Sequence, residues 1–252
     1  MNQDRLKELL EGLKELGLEP SDAEALLRSH MTPDLGFARV DAGRGNRASL
    51  PEVILAEGKR VNEVVAITEE LLARAGLAVV SRAGEEVARA LADAIPSGEY
   101  HSRASMFVAG EFRGGTDEGE GSVSVVSAGT SDIHAAEEAA VLLETMKVKV
   151  ARFYDIGVAG VHRLAMEMPG IRKGRVCLVF AGMDAALPTV LGGLFPGPLV
   201  AVPTSTGYGT AFGGVAALLS MLNSCSPGIT VMNIDNGLGA AAAALRIIRG
   251  DS

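Results

Sequence analysis

The side chains able to do chemistry gather in a few short segments. At 127–132 the run SAGTSD sets Ser127, Gly129, Thr130, Ser131 and Asp132 just ahead of an apolar helical pattern. Small residues and hydroxyls at a helix start hold an anion through backbone N–H and O–H donors without formal charge. Plain helix capping by Ser131 or Asp132 is the alternative. The run TSTGYGT at 204–210 offers Thr204, Gly207, Tyr208 and Gly209, again neutral donors on a loop that glycine lets come close to a ligand. Asn233, Asp235 and Asn236 bracket the next such loop. Three further residues can move protons or electron pairs. Asp184 sits in AGMDAALP, as a cap or an acid/base, and His162 sits near a helix start as a structural or an acid/base histidine. Cys225 sits in NSCSPG, between a helix and a strand, as a loop thiol near several strand-end loops: a candidate nucleophile, or a cysteine without a role. Cys177, inside the apolar run RVCLVF, reads as packing.

These segments are loops because of what lies between them. From residue 121 onward strands are expected at 122–127, 149–154, 175–181, 199–203 and 229–234, separated by helical patterns at 133–146, 158–168, 185–194, 210–222 and 238–249. That alternation demands a parallel sheet with right-handed crossovers, whose ligands sit beyond the carboxyl ends of the strands. No G-x-G-x-x-G follows the first strand, so a Rossmann-type cofactor grip is not expected. A smaller α/β region is expected over 33–120, with strands at 37–41, 52–56, 77–81 and 106–109 and helices at 61–75 and 85–95. The acidic, glycine-rich GEFRGGTDEGEG at 110–121 reads as the linker. Residues 1–32 carry Leu6, Leu9, Leu10, Leu13 and Leu16 at helical spacing and form a docking or dimerisation element. The domains are thus 1–32, 33–120 and 121–252.

Composition sets limits. Lys and Arg total 23 against 31 Asp and Glu, a net charge of −8, which excludes a nucleic-acid partner. The 50 residues from 185 to 234 contain no Asp, Glu, Lys, Arg or His, yet five prolines interrupt them, so they are core or subunit contact and not a membrane span. Two cysteines give no disulfide framework, and the opening residues show no secretory n-region, so a cytoplasmic location is the default.

Longer stretches carry a resemblance. SAGTSDIHAAEEA, YDIGVAGVHRL, AGMDAALPTVLGGL, VPTSTGYGTAFGGVAALLSMLNSC and VMNIDNGLGAA, with DAGRGNRASLPEVILAEGK upstream, resemble the nickel-pincer nucleotide biosynthesis carboxylase/hydrolase (LarB) family over most of the chain. The C-terminal half is also similar to phosphoribosylaminoimidazole (AIR) carboxylase of the PurE type. The resemblance implies a C-terminal three-layer, flavodoxin/PurE-like α/β domain, preceded by the small α/β region and the N-terminal helices. It implies a nucleotide substrate, nicotinic acid adenine dinucleotide, with CO2 or bicarbonate as co-substrate and no tightly bound cofactor. The implied products are pyridinium-3,5-biscarboxylic acid mononucleotide and AMP, made by a homo-octamer. Carried over, the family's nucleophilic cysteine falls on Cys225 and its acidic residue on Asp184, where this chain has Asp in place of the family's Glu. Asp184 is expected to position water or a divalent ion such as Mg2+. The competing readings are an AIR carboxylase or carboxyaminoimidazole ribonucleotide mutase, and a non-catalytic nucleotide-binding protein.

Overall fold

The computed structural model describes residues 33–44, 50–112 and 122–250. The expected N-terminal helices and most of the expected linker lie outside them. In the smaller of two sheets, β1 (Val53–Leu55) runs parallel to β2 (Leu77–Ser81). β2 pairs antiparallel with β4 (Met106–Gly110), and β4 with β3 (Glu99–His101), for the order β1-β2-β4-β3. Helix α1 (Val61–Ala75) connects the first two strands; Val64, Ile67, Thr68 and Leu71 fall on its buried stripe, and Gly76 closes it at φ 70°. Helix α2 (Glu85–Ala94) follows β2.

The larger sheet is all parallel. Its strands are β5 (Val123–Ser127), β6 (Val150–Phe153), β7 (Val176–Ala181), β8 (Leu199–Pro203) and β9 (Ile229–Val231), in the order β6-β5-β7-β8-β9. The crossovers are α3 (Ile133–Thr145), α4 (Val161–Ile171), α5 (Ala186–Gly192) and α6 (Val215–Leu222), and α7 (Gly237–Arg249) follows the last strand. The order reverses at β5, between the β5 and β7 loops, which is where such sheets open a crevice.

Period-two alternation ties the two sheets into one body. Along β2, Ala78 and Val80 enter the core under α1 and α2, whereas Leu77 and Val79 enter a second core with α3, α7 and the large sheet. Phe107 and Met106 of β4 divide the same way. In β7, Val176, Leu178 and Phe180 face that shared core, while Cys177, Val179 and Ala181 face α4, α5 and α6. The α3–α7 seam is alanine-lined, with Ala135, Ala139, Ala240, Ala241 and Ala244 buried. A Cβ at Gly237 would stand 2.3 Å from Ala135 O, so only small residues permit this helix contact. No described helix is long and apolar enough to cross a membrane.

Several expected elements are corrected. Residues 37–41 form no strand. Leu35 N–H donates to Ala38 O, Gly36 takes φ 82°, and a single antiparallel bridge joins Asp34 to Arg39, so the chain doubles back too soon to extend. β3 was not expected: it is three residues long, polar and at a sheet edge, and presents no apolar alternation. Expected helix 210–222 is a 3-10 segment, Gly209–Gly214, that kinks at left-handed Phe212, Gly213 and Gly214 before α6 begins. α4 runs past the expected stop at 168, because Pro169 sits in its last turns with the helix ending at Ile171.

Candidate active site

The loops at the carboxyl ends of the large sheet interlock as a crown. Ser127, wholly buried at the end of β5, accepts the Asp155 N–H at 3.2 Å and so ties the β5 and β6 ends together. Asp132, also buried, spends both oxygens inside the protein: Oδ2 accepts the Gly129 N–H at 2.8 Å and Oδ1 accepts the Thr204 hydroxyl at 2.6 Å. It braces the β5 loop against the β8 loop, which leaves Thr130 and Ser131 exposed on the crown surface. The β7 and β8 loops touch so closely that a Cβ at Gly182 would lie 2.3 Å from Thr206 O, and Met183 N–H donates to that same oxygen at 3.0 Å. Asp235 Oδ1 accepts the Ser205 N–H at 2.8 Å. Asn236 Oδ1 accepts the Gly239 N–H at 2.7 Å and caps α7, while Asn233 Oδ1 accepts the N–H of Ile234. Gly207 and Gly209 take φ values of 155° and 60°, which frees Tyr208, 82% exposed, to stand out from the crown.

On one side the crown meets the small sheet across a cleft of about 510 Å3. Ser131, Thr204, Ser205, Thr206 and Asp235 line it from the large domain, and Glu57, Arg82, Gly84 and Ser105 from the small one. Arg82 reaches across: one guanidinium nitrogen pairs with Glu57 at 3.0 Å and another donates to Asp235 O at 3.4 Å. His134 Nε2 and Ser105 Oγ meet at 3.2 Å. Beneath them Glu138, 3% exposed, accepts the Ser81 hydroxyl at 2.5 Å and the Leu238 N–H at 3.3 Å, which bolts β2, α3 and α7 together. Sequence reading did not single out Arg82, Ser105, His134 or Glu138. The small domain places the first two, and nothing in their spacing connects them to loops more than 20 residues away.

On the other side lie Asp184 and Cys225. Asp184 is exposed on the β7–α5 loop; its carboxylate makes only a 3.4 Å contact with Ala186 N–H, and its carbonyl accepts the Ser220 hydroxyl of α6 at 2.7 Å. Cys225 is exposed three residues past the end of α6, on a loop held to α5 by Thr189–Ser224 at 2.8 Å and by Ser226 Oγ donating to Thr189 O at 2.7 Å. Cys225 thus stands on the loop that enters β9, tied to α5 through Thr189. His162 is exposed at the second position of α4, beside Arg163, whose guanidinium pairs with Asp155 at 2.6 Å. Cys177 is fully buried, and burial pushes its thiol up to about 12, so it stays protonated and unreactive. Among the described residues no group of three or more His, Cys, Asp or Glu is placed to hold a metal ion. Asp184, a lone exposed carboxylate, does not by itself match the oxygen-rich shell that Mg2+ takes.

Among the described residues, seven of the eight non-glycine residues at positive φ lie at this end of the molecule: Asp155, Met183, Ala185, Phe212 and Asp235 after strands of the large sheet, Arg82 and Ser105 facing them. Strained backbone persists where the surrounding structure holds it, and it clusters at functional sites.

The parallel sheet ends in hydroxyl-lined loops of the kind that hold anions. Residues 122–251 match the AIR carboxylase family model and residues 32–111 the LarB/PurE-like N-terminal domain, the domains of a carboxylase- or mutase-type enzyme. The chain belongs to the LarB family, with a PurE-like C-terminal half. An uncharacterized protein of Methanocaldococcus jannaschii is 37% identical over 215 residues, 82% of each chain. The N5-carboxyaminoimidazole ribonucleotide mutase of the same organism is 33% identical over 131 residues, 50% of this chain and 78% of the mutase.

Proposed function

We propose that this protein carboxylates nicotinic acid adenine dinucleotide at carbon 5 of its pyridinium ring and then cleaves the phosphoanhydride, releasing pyridinium-3,5-biscarboxylic acid mononucleotide and AMP. The observation that carries the reading is an exposed thiol, Cys225, in a chain whose C-terminal half matches the AIR carboxylase family. The imidazole ribonucleotides handled by AIR carboxylases are already enamines and attack CO2 without help. A pyridinium ring is electron-poor and must first be converted. Thiolate addition from Cys225 to the ring carbon beside carbon 5 gives a neutral dienamine, nucleophilic at carbon 5. Carbon 5 forms a bond to CO2, a base removes its proton, and the C–S bond breaks to return the thiolate and the aromatic ring. In the second step the oxygen of water forms a bond to phosphorus, and the bridging oxygen leaves with AMP or the mononucleotide. Asp184 orients that water, Thr130 and Ser131 hold phosphate oxygens, and His162 exchanges protons at the edge of the site.

The active species in this reading is a homo-octamer. Phe212, Val215, Leu219 and Leu222 recur at helical spacing with exposures of 73, 42, 60 and 64%, more apolar surface than an isolated subunit leaves in water. The test is mass spectrometry of products from nicotinic acid adenine dinucleotide and labelled bicarbonate. A labelled biscarboxylated mononucleotide with AMP supports the reading. Label incorporated only with an aminoimidazole ribonucleotide overturns it in favour of the AIR carboxylase alternative, and unlabelled rearrangement of carboxyaminoimidazole ribonucleotide overturns it in favour of the mutase alternative, which the similarity to the archaeal mutase supports. Binding without turnover of either substrate overturns both.

A further inference from the structure

The cleft between the two sheets borders the crown, and of its lining residues the reaction above uses only Ser131, for a phosphate. Its chemistry is specific. Three carboxylates line it, from Glu57, Glu138 and Asp235, against a single guanidinium, from Arg82. Glu138 has both oxygens engaged, but Asp235 uses only Oδ1, on Ser205, and its other oxygen is left to accept. Carboxylate oxygens only accept hydrogen bonds, so they select a neutral group rich in hydroxyls. Ser131 and Thr206, at the crown edge of the same cleft, are positioned to receive a phosphate attached to such a group. A cleft of about 510 Å3 is within the range that holds a nucleoside-sized ligand. Arg82, Ser105 and Asp235, three of the residues held at positive φ, all line it.

We infer that this cleft is the subsite for the nucleoside end of the substrate. The ribose diol donates to Asp235 and Glu57, Arg82 faces the 5′-phosphate, and the small domain thereby contributes directly to recognition. This rests on the dinucleotide reading for the identity of the nucleoside, adenosine. The reacting ring would then extend over the crown toward Met183 and Asp184, with the phosphates at Ser131.

The experiment is calorimetric titration of the full chain with AMP, with nicotinate mononucleotide, and with the AMP analogue lacking both ribose hydroxyls. The variants are Asp235→Asn, which keeps an oxygen for Ser205 N–H but removes the free carboxylate oxygen, and Arg82→Ala. Asp235→Asn should weaken AMP about tenfold, as expected for loss of charge-assisted hydrogen bonds. It should leave the dihydroxyl-lacking analogue unchanged, the signature of a direct contact in a double-mutant cycle, and weaken nicotinate mononucleotide, which carries the same ribose diol and phosphate, no more than AMP. Arg82→Ala should weaken AMP by a similar factor. Equal weakening of AMP and its analogue by Asp235→Asn, unchanged AMP affinity in both variants, or no AMP binding by the unaltered protein at millimolar concentration each overturn the subsite. Because binding is read without turnover, a failure of the carboxylation assay with the AMP cycle intact removes the reaction and leaves the subsite.

Discussion

Toward the small domain, the crown is braced by charged and hydroxyl side chains: Asp132 to Thr204, Asp235 to Ser205, Arg82 to Glu57 and to the Asp235 carbonyl, with Glu138 bolted beneath. Toward α5 and α6, the surface is Met183, Phe212, Leu219 and Leu222, all exposed, with Asp184 and Cys225 holding few polar partners. The first side is complete within one chain. Hydrogen bonds within the chain hold its braces in place, which suits recognition. The second side has reactive groups in a setting that a single chain leaves open to water, which suits chemistry only once something covers it. On the proposed function, one subunit would supply a braced binding half and an uncovered reacting half.

The largest effect that would sharpen this contrast is at Cys225. Cys225→Ser should abolish ring carboxylation, since an alcohol at neutral pH is a far weaker nucleophile than a thiolate, while phosphoanhydride hydrolysis persists in part and AMP affinity is unchanged. Cys177→Ser, in the buried strand, should alter stability and leave carboxylation in place. Product analysis of both folded variants decides it; ring carboxylation retained by Cys225→Ser would falsify the thiolate step. Next in size is Leu219→Asp. A substitution at a 60%-exposed position should cost the isolated fold less than about 0.5 kcal/mol. It should nevertheless break the assembly, seen in light scattering as a fall in mass toward 26.0 kDa. An unchanged mass would mean that the apolar stripe is not the subunit contact. The smallest expected effect is on the braced side. Glu138→Gln sets an amide against either Ser81 or Leu238 N–H and should lower stability by about 1–3 kcal/mol. Urea unfolding reads this directly, and an unshifted midpoint would show that Glu138 does not hold the domains together.

The two sides were also unequally legible. The parallel sheet, its crossovers and the crown loops could be read from apolar periodicity, because each lies within one continuous stretch of chain. The cleft could not. Arg82 and Ser105 belong to the other sheet, and only the shared packing of Leu77, Val79 and Met106 against α3 and the large sheet brings them opposite Asp235. Cys225 was legible as a reactive residue type, but the hydrogen bonds that tie its loop to α5 through Thr189 join residues 35 and 37 apart in sequence and could not be read from it. The kink at Phe212 was hidden for a related reason: Phe in the left-handed region breaks no apolar pattern while redirecting the helix behind it.

The division of β2 and β4 between two cores has a mechanical consequence. A strand whose odd residues belong to one hydrophobic cluster and whose even residues belong to another cannot slide or swing without emptying both. The gap over which Arg82 meets Asp235 is therefore set by the thickness of packed α3 and α7, a fixed spacer, and not by a hinge. On the subsite proposal, a ligand entering there would meet walls at a preset separation and be sorted by size.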